Sequence, residues 1–267
     1  MADFQQNPQA RAASVARPAD LSAVDEGLRA YMLRVYNLMA LGLVITGLAA
    51  IGAFQFSFTG DPDAAALVNG AAAQIKPGLF FTSIGLQLYV SPLKWVVILA
   101  PLAMVFFLSF RVHKMSVPAA QTTFWIFSAL MGVSLATIFV VYTQESIARV
   151  FFITAASFGA LSLFGYTTKR DLSGWGSFLF MGLIGVILAS VVNIFLGSSA
   201  LQFAISVMGV LVFAGLTAYD TQQIKEMYYV GDDGTVAGRK AIMGALRLYL
   251  DFINLFMFLL QFLGNRE

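Results

Sequence analysis

Two aspartates lie inside apolar stretches near the end of the chain, where acidic side chains are unusual. Asp220 lies in GVLVFAGLTAYDTQQIKEMY, and Asp251 lies in ALRLYLDFINLFMFLLQFLG. Both stretches have the composition of membrane-spanning helices, in which an ionisable group is costly. Such a group marks an ion or proton pathway, or else it belongs to a tight internal pair that holds helix ends together. Any functional interpretation of this sequence depends on these two carboxyl groups.

Further polar side chains are spaced so that they share a helix face with Asp251. Arg247 precedes it by four residues, a spacing at which opposite charges pair. Asn254 and Gln261 continue the same face. Two carboxyl groups that lie close together in a medium of low dielectric titrate as a unit, which makes Asp220 and Asp251 a candidate proton sensor. With an amide oxygen and water they would form only a weak metal site, because calcium prefers about 6–8 oxygen ligands.

The composition of the chain excludes a soluble protein. Of its 267 residues, 59% are hydrophobic and 11% are charged, whereas a soluble domain has roughly 25% charged residues. The chain has no cysteine and a single histidine, His113, so neither a thiolate site nor a multi-histidine site is expected within it. We expect no resident cofactor and no nucleic-acid partner. The lipid bilayer is the expected environment.

The hydrophobic pattern predicts an all-α, polytopic membrane protein. A helix needs about 20 apolar residues to cross the hydrocarbon core of a bilayer. Seven segments approach that length. The last of them is short, and Asp251 lies one turn inside it. They cover approximately residues 36–56, 95–110, 124–142, 150–166, 178–196, 201–219 and 246–263. The sequence thus predicts a disordered cytoplasmic tail over residues 1–34 and a seven-helix transmembrane domain over residues 35–267.

The distribution of lysine and arginine predicts the orientation of these spans, because cytoplasmic loops of membrane proteins are enriched in both residues. Twelve of them lie in the N-terminal tail and in the segments on its side, against four on the other side. The N-terminus is therefore predicted to be cytoplasmic, and the C-terminus lies outside unless the seventh segment re-enters. Asp220, near the end of span six, and Asp251, near the start of span seven, then lie at similar depth.

The two aspartates do not belong to an intramembrane aspartyl protease, because the sequence before Asp251 lacks the motif that this class requires. Intramembrane aspartyl proteases carry aspartates on helices six and seven, with a tyrosine before the first, and Tyr219 followed by Asp220 fits that half of the pattern. The second half requires Gly-x-Gly-Asp, whereas this chain has LYLD over residues 248–251. The Pro-Ala-Leu motif, a phosphate-binding loop and a His-Glu-x-x-His motif are also absent. We therefore expect no enzymatic activity.

Three segments together resemble a known membrane-protein family. They are AYDTQQIK over residues 218–225, LYLDFINLF over residues 248–256, and YTTKRDLSGWGSFLFMGLIG over residues 166–185. The chain is similar in these segments to the Bax inhibitor family, also called the transmembrane Bax inhibitor motif family. The resemblance extends over about residues 30–264 and leaves out the N-terminal tail.

The resemblance implies a seven-helix bundle in which the last helix is central and the other six surround it. It also implies a pH-dependent calcium leak in a bacterial cytoplasmic (inner) membrane, with two aspartates as the proton sensor and an arginine at the end of helix two as a latch. The matching positions are Asp220, Asp251 and Arg111, the last placed only by its position after FFLSF. Some bacterial members carry a glutamate within helix two, and VVILAPLAMVFF over residues 96–107 has none.

A second function remains open at this point. The resemblance equally implies a non-conducting regulator of stress or cell death, which would bind other membrane proteins such as a quality-control protease. In that case the buried charges would only stabilise the fold. Calcium ions and protons are the expected partners of the first function, and membrane proteins are those of the second.

Overall fold

The computed structural model describes the backbone of residues 18–266 and the side chains of residues 26–266. In this part of the chain the helices are α1 (Pro18–Ser57), α2 (Ser83–Tyr89), α3 (Lys94–Arg111), α4 (Val117–Leu135), α5 (Ile138–Val141), α6 (Gln144–Thr167), α7 (Ser173–Leu196), α8 (Ser199–Glu226) and α9 (Gly234–Leu263). Two turns of 3-10 helix, Pro62–Ala64 and Val112–Lys114, complete the helical elements.

The segment between α1 and α2 forms five short strands. They are β1 (Phe58–Thr59), β2 (Leu67–Val68), β3 (Ala71–Ala72), β4 (Gln74–Lys76) and β5 (Leu79–Phe81). Strands β1, β5 and β4 form one antiparallel sheet in that order, and β2 pairs with β3. The sequence around residues 77–90, which carries aromatic and apolar residues without a full span, thus belongs to a strand and the short helix α2.

Seven helical segments of the described chain are long and apolar enough to cross a membrane. They are α1, α3 with the turn that follows it, α4 continued by α5, and then α6, α7, α8 and α9. Each coincides with one predicted span. The prediction of an all-α, polytopic membrane protein with seven helices is confirmed.

Two helices begin well before their predicted starts. Helix α1 begins at Pro18, so the predicted tail over residues 1–34 is helical from that point, and Tyr31 and Met32 are buried in the core. Residues 1–17 lie outside the described part. Helix α9 begins at Gly234, twelve residues before the predicted start at 246. Asp251 therefore lies near the middle of α9, where the sequence placed it one turn from the beginning.

The ends of the long helices follow ordinary capping chemistry. The hydroxyl groups of Ser116, Thr143 and Ser198 accept backbone N–H groups at the starts of α4, α6 and α8. Asp233 accepts the N–H groups of Thr235 and Val236 at the start of α9. Helix α7 ends at Gly197, whose φ of 60° is the left-handed conformation that glycine adopts without steric cost. The very short connection that follows makes α7 and α8 antiparallel neighbours.

Helix α9 is the most buried of the seven spans. In its most apolar 18-residue window 67% of the residues are buried, against 17–33% for the other spans. It packs against α1, α4, α6 and α8. Helices α3 and α7 pack chiefly on α4 and α8, so the expectation that all six other spans surround the last helix is not confirmed.

The centre of the bundle is an aromatic and hydroxyl cluster around Tyr249 of α9. Its ring is fully buried and meets the rings of Phe124 and Phe127 on α4 edge to face. Its hydroxyl lies 2.6 Å from Oγ1 of Thr46 on α1. Thr46 in turn donates across to the carbonyl oxygen of Ser128 on α4, 2.8 Å away. These contacts fix α1, α4 and α9 relative to one another.

Candidate functional site

Helices α8 and α9 run antiparallel and bring the two predicted acids together. Asp220 lies in the last two turns of α8, and Asp251 lies near the middle of α9. The two side chains line the same cavity and are close enough for their charges to act on each other. Asp251 is only 4% exposed and Asp220 is half-buried. The predicted pair therefore exists, with Asp251 buried inside the bundle and Asp220 partly exposed.

Arg247 is the basic residue beside the pair. It lies one turn before Asp251 on α9, and its positive charge acts on both carboxyl groups. The buried Oδ2 atom of Asp251 has no N–H or O–H donor among the described residues. A buried carboxylate oxygen without a donor is costly, so this atom is stabilised only by its neighbour Asp220, by the nearby guanidinium, or by a ligand.

The pair opens into a cavity of about 880 Å³ between α7, α8 and α9. Its wall contains both polar groups (serine hydroxyl, carboxyl, guanidinium and amide) and apolar side chains. The polar residues are Ser173, Ser177, Asp220, Arg247, Asp251 and Asn254, and the apolar ones include Phe180, Leu183, Phe213 and Leu216. Asn254 donates through Nδ2 to the carbonyl oxygen of Leu250 at 2.8 Å. Four of the five residues that the sequence nominated thus line one cavity.

The fifth, Arg111, does not line this cavity. It lies exposed at the end of α3, which packs chiefly on α4. In this conformation Arg247 occupies the position beside the carboxyl groups. The latch role of Arg111 stays a prediction that this arrangement of helices does not display.

The loop between α6 and α7 is tied to α8 close to Asp220, a contact that sequence reasoning missed. Gln222 accepts the N–H of Leu172 at 2.7 Å through Oε1 and donates to the carbonyl oxygen of Arg170 at 2.8 Å through Nε2. Within the same loop, the Ser173 N–H donates to Asp171 and lowers the pKa of that exposed carboxyl. Gln222 thereby holds the start of α7, and with it Ser173, against the cavity.

A second polar cluster lies at the other end of the α8–α9 pair. Gln202 donates to Oε1 of Gln261 at 2.6 Å and accepts from Asn193 at 3.1 Å. With Ser206 these side chains line a cavity of about 470 Å³ that Arg266 borders. Gln261 was placed on the polar face of Asp251 by spacing, but its partners, Gln202 and Ser206, both come from α8 and were not predicted.

A pair of phenylalanines separates the two cavities. The rings of Phe213 on α8 and Phe258 on α9 are stacked, with centroids 5.7 Å apart and planes 26° apart. Phe258 covers Gly209, where a Cβ would lie 2.5 Å from ring atoms. The seam between α8 and α9 is therefore polar at both ends and closed by aromatic rings between them.

The cavity offers few side chains that could bind a metal ion. Among the described residues no group of three or more histidine, cysteine, aspartate or glutamate side chains is arranged to hold a metal ion. The two carboxyl groups are thus the main anionic ligands that the cavity offers.

Comparison with known proteins identifies what the chain is similar to. The profile of the family described as "Inhibitor of apoptosis-promoting Bax1" matches residues 28–267. A protein of Rickettsia prowazekii (strain Madrid E) is 47% identical over 243 residues, which cover 91% of this chain and 92% of that protein. The inner membrane protein YbhL of Escherichia coli (strain K12) is 46% identical over 90% of this chain and 94% of its own. A membrane protein of Streptococcus pyogenes serotype M1 is 36% identical over 91% of this chain and 96% of its own.

Proposed function

Since the chain belongs to the family of inhibitors of apoptosis-promoting Bax1, the Bax inhibitor family, we propose that it is a pH-sensitive calcium leak of the bacterial inner membrane. Asp220 and Asp251 form its proton-responsive gate. The observation that carries this proposal is that two carboxyl groups line one cavity inside an apolar bundle, one of them 4% exposed. A protein that needed these residues only for stability would be better served by an apolar pair of similar volume.

The gate works through a shared proton. Two adjacent carboxyl groups are compatible when one proton lies between them, because two negative charges at that distance repel each other in a low dielectric. When the proton leaves, repulsion separates Asp220 from Asp251 and turns their oxygens toward the cavity. Those oxygens then coordinate a cation weakly, and weak binding suits conduction because the ion must leave again. Arg247 limits this repulsion and sets how readily the pair opens.

The α8–α9 seam is the proposed route of the ion. Polar side chains line it at both ends, with the carboxyl pair at one end and the cluster of Gln202 and Gln261 at the other. Between them the stacked rings of Phe213 and Phe258 close the seam. Hydrophobic constrictions of this kind gate other channels by excluding water, so the described conformation corresponds to the closed state.

The orientation and location follow from charge and from a relative. The side on which α1 begins and α8 ends carries most of the lysines and arginines, which supports a cytoplasmic N-terminus. The carboxyl pair then lies toward the cytoplasm. The name of the relative YbhL, an inner membrane protein, supports the same membrane for this chain. We assign it no enzymatic activity and no resident cofactor.

Calcium flux into liposomes tests the proposal. Purified protein is reconstituted, and influx is followed from pH 6 to pH 8 for the wild type, Asp220→Asn and Asp251→Asn. The matched control is Glu145→Gln, which changes an exposed acid at the start of α6. We expect a pH-dependent flux that either aspartate variant abolishes or makes insensitive to pH, and that the control retains.

The opposite result would favour the regulator. If folded wild-type protein gives no flux above that of empty liposomes, the leak is refuted. A partner-binding protein without conduction, whose buried charges only stabilise the fold, would then be the better account. A flux that neither aspartate variant alters would refute the gate while keeping the leak.

A further inference from the structure

A lateral groove runs between α1 and α6. Both helices pack against α9, yet they make few contacts with each other. The space between them forms two adjoining cavities, of about 680 Å³ and about 540 Å³, which share Met39, Ala40 and Phe158 in their walls. The groove therefore continues along the bundle and opens sideways, in the direction where a membrane protein meets the acyl chains of the bilayer.

The groove is long enough for a lipid chain and is empty of side chains where it passes two glycines. Its wall on α1 extends from Arg29 to Ile51, which corresponds to about 33 Å of helix at 1.5 Å per residue and to the roughly 30 Å hydrocarbon thickness of a bilayer. A Cβ built on Gly47 of α1 or on Gly159 of α6 would meet no heavy atom within 4 Å. Phe252 of α9 lies in the floor.

One end of the groove is cationic and the rest is mainly apolar. Arg29 lines the groove at its mouth and is exposed. Tyr166 lies beside it, and Nζ of Lys225 donates to the Tyr166 carbonyl oxygen at 2.8 Å and lies 5.3 Å from the centre of its ring. Further in, the walls are mainly apolar, and the hydroxyl groups of Tyr36 and Ser162 that occur in them contact each other. A phospholipid has the complementary arrangement, with an anionic headgroup at one end of an apolar chain.

We propose that this groove binds an acyl chain of one anionic phospholipid, whose phosphate contacts Arg29. The bound chain lies against Phe252, the residue after Asp251 on α9, and against the side of α6 that carries Ser162. Ser162 links Tyr36 to Thr221 through hydroxyl contacts of 2.6 Å and 2.9 Å, and Thr221 follows Asp220. The lipid thus supports the face of α9 that is opposite to the carboxyl cavity. Binding does not depend on whether the protein conducts calcium.

Lipid retention measured by native mass spectrometry tests this site. The full chain is stripped of lipid in detergent and titrated with phosphatidylglycerol or phosphatidylcholine. Gly159→Leu fills the groove, and its control Gly185→Leu adds the same side chain on α7, where a Cβ also meets nothing within 4 Å. Arg29→Ala removes the headgroup contact, and its control Arg170→Ala removes an exposed arginine outside the groove.

We expect the wild type to retain one phosphatidylglycerol in preference to phosphatidylcholine. Gly159→Leu loses this lipid, and Arg29→Ala weakens its binding about fivefold, the usual effect of one arginine near an anionic lipid. Both controls retain it. Equal retention of the two lipids, or a Gly159→Leu variant that binds like the wild type, would mean ordinary boundary lipid and would overturn the proposal.

A second measurement covers the case in which a leucine variant folds poorly. Phosphatidylglycerol with a photoactivatable group in its acyl chain is crosslinked to the wild-type protein in nanodiscs, and the labelled peptides are mapped. Labels concentrated on α1 and α6 around Met39 and Phe158 support the site. Labels spread evenly over the lipid-facing helices, including α7, refute it.

Discussion

The substitution Gly165→Ala should destabilise the bundle, whereas Gly159→Ala on the same helix should not. A Cβ at Gly165 collides with the carbonyl oxygen of Ala218 on α8 and lies 2.9 Å from its carbonyl carbon and 3.0 Å from its Cα. Ordinary contacts begin at 3.4 Å, and the obstacle is backbone, so α6 and α8 must move apart by at least about 0.5 Å. Overpacking of this kind typically costs about 1–3 kcal/mol.

The comparison removes the effect of helix propensity. Replacing glycine by alanine inside a helix is favourable by roughly 0.8–1 kcal/mol, and this gain is common to both variants. A Cβ at Gly159 meets nothing within 4 Å, so only Gly165→Ala carries the steric cost. The free energies of unfolding of the two variants should therefore differ by about 1–3 kcal/mol, with Gly159→Ala the more stable.

Reversible unfolding in mixed micelles, followed by tryptophan fluorescence, measures this difference. The same displacement of α8 changes the position of Asp220 relative to Asp251, so Gly165→Ala should also alter the pH dependence of calcium flux. Equal stabilities for the two alanine variants would refute the close contact between α6 and α8 on which the reasoning depends.

Three further substitutions test other parts of the structure. Tyr249→Phe removes the hydroxyl that lies 2.6 Å from Oγ1 of Thr46. It should lower the free energy of unfolding by about 0.6 kcal/mol, the average for a hydrogen bond between membrane helices. An unchanged free energy of unfolding would mean that the contact is not formed. Phe258→Ala removes one ring of the stack that closes the seam and should raise calcium flux at every pH, and an unchanged flux would exclude this seam as the route. Asp232→Asn breaks the ion pair between Asp232 and Lys240, two side chains that are partly exposed. It should lower the free energy of unfolding by less than about 1 kcal/mol. A larger decrease would show that the pair orders the connection between α8 and α9.

The number of spans could be predicted from sequence because each is an apolar stretch of membrane-spanning length. The start of a helix could not be predicted where its first turns carry charged residues. At the start of α9, Arg239 donates to the carbonyl oxygen of Met115 at 2.7 Å, and Lys240 donates to that of Met227 at 3.0 Å and to Asp232. Hydropathy counts these charges against a helix, but backbone oxygens of neighbouring loops satisfy them.

The carboxyl pair could be predicted from depth, and Arg247 could be proposed from its spacing to Asp251, but the choice between Arg247 and Arg111 could not be made. Asp220 and Asp251 stand on consecutive antiparallel helices, so their approach follows from chain order. Arg111 and Arg247 are both basic residues at a predicted helix end, and the choice between them depends on how α3 packs. That packing is a tertiary property. Gln202 was missed for a related reason, since a single amide in an apolar helix does not reveal its partner.

The position of the most buried span in the chain has a consequence for how the protein is made. Six spans are synthesised before α9, and four of them, α1, α4, α6 and α8, pack on it. Thr46 on α1 and Tyr249 on α9, whose hydroxyl groups are in contact, are 203 residues apart in the chain. Until α9 is inserted, the four helices that pack on it therefore lack the surface against which they lie in the native bundle. Insertion of this last helix is the step that completes their packing.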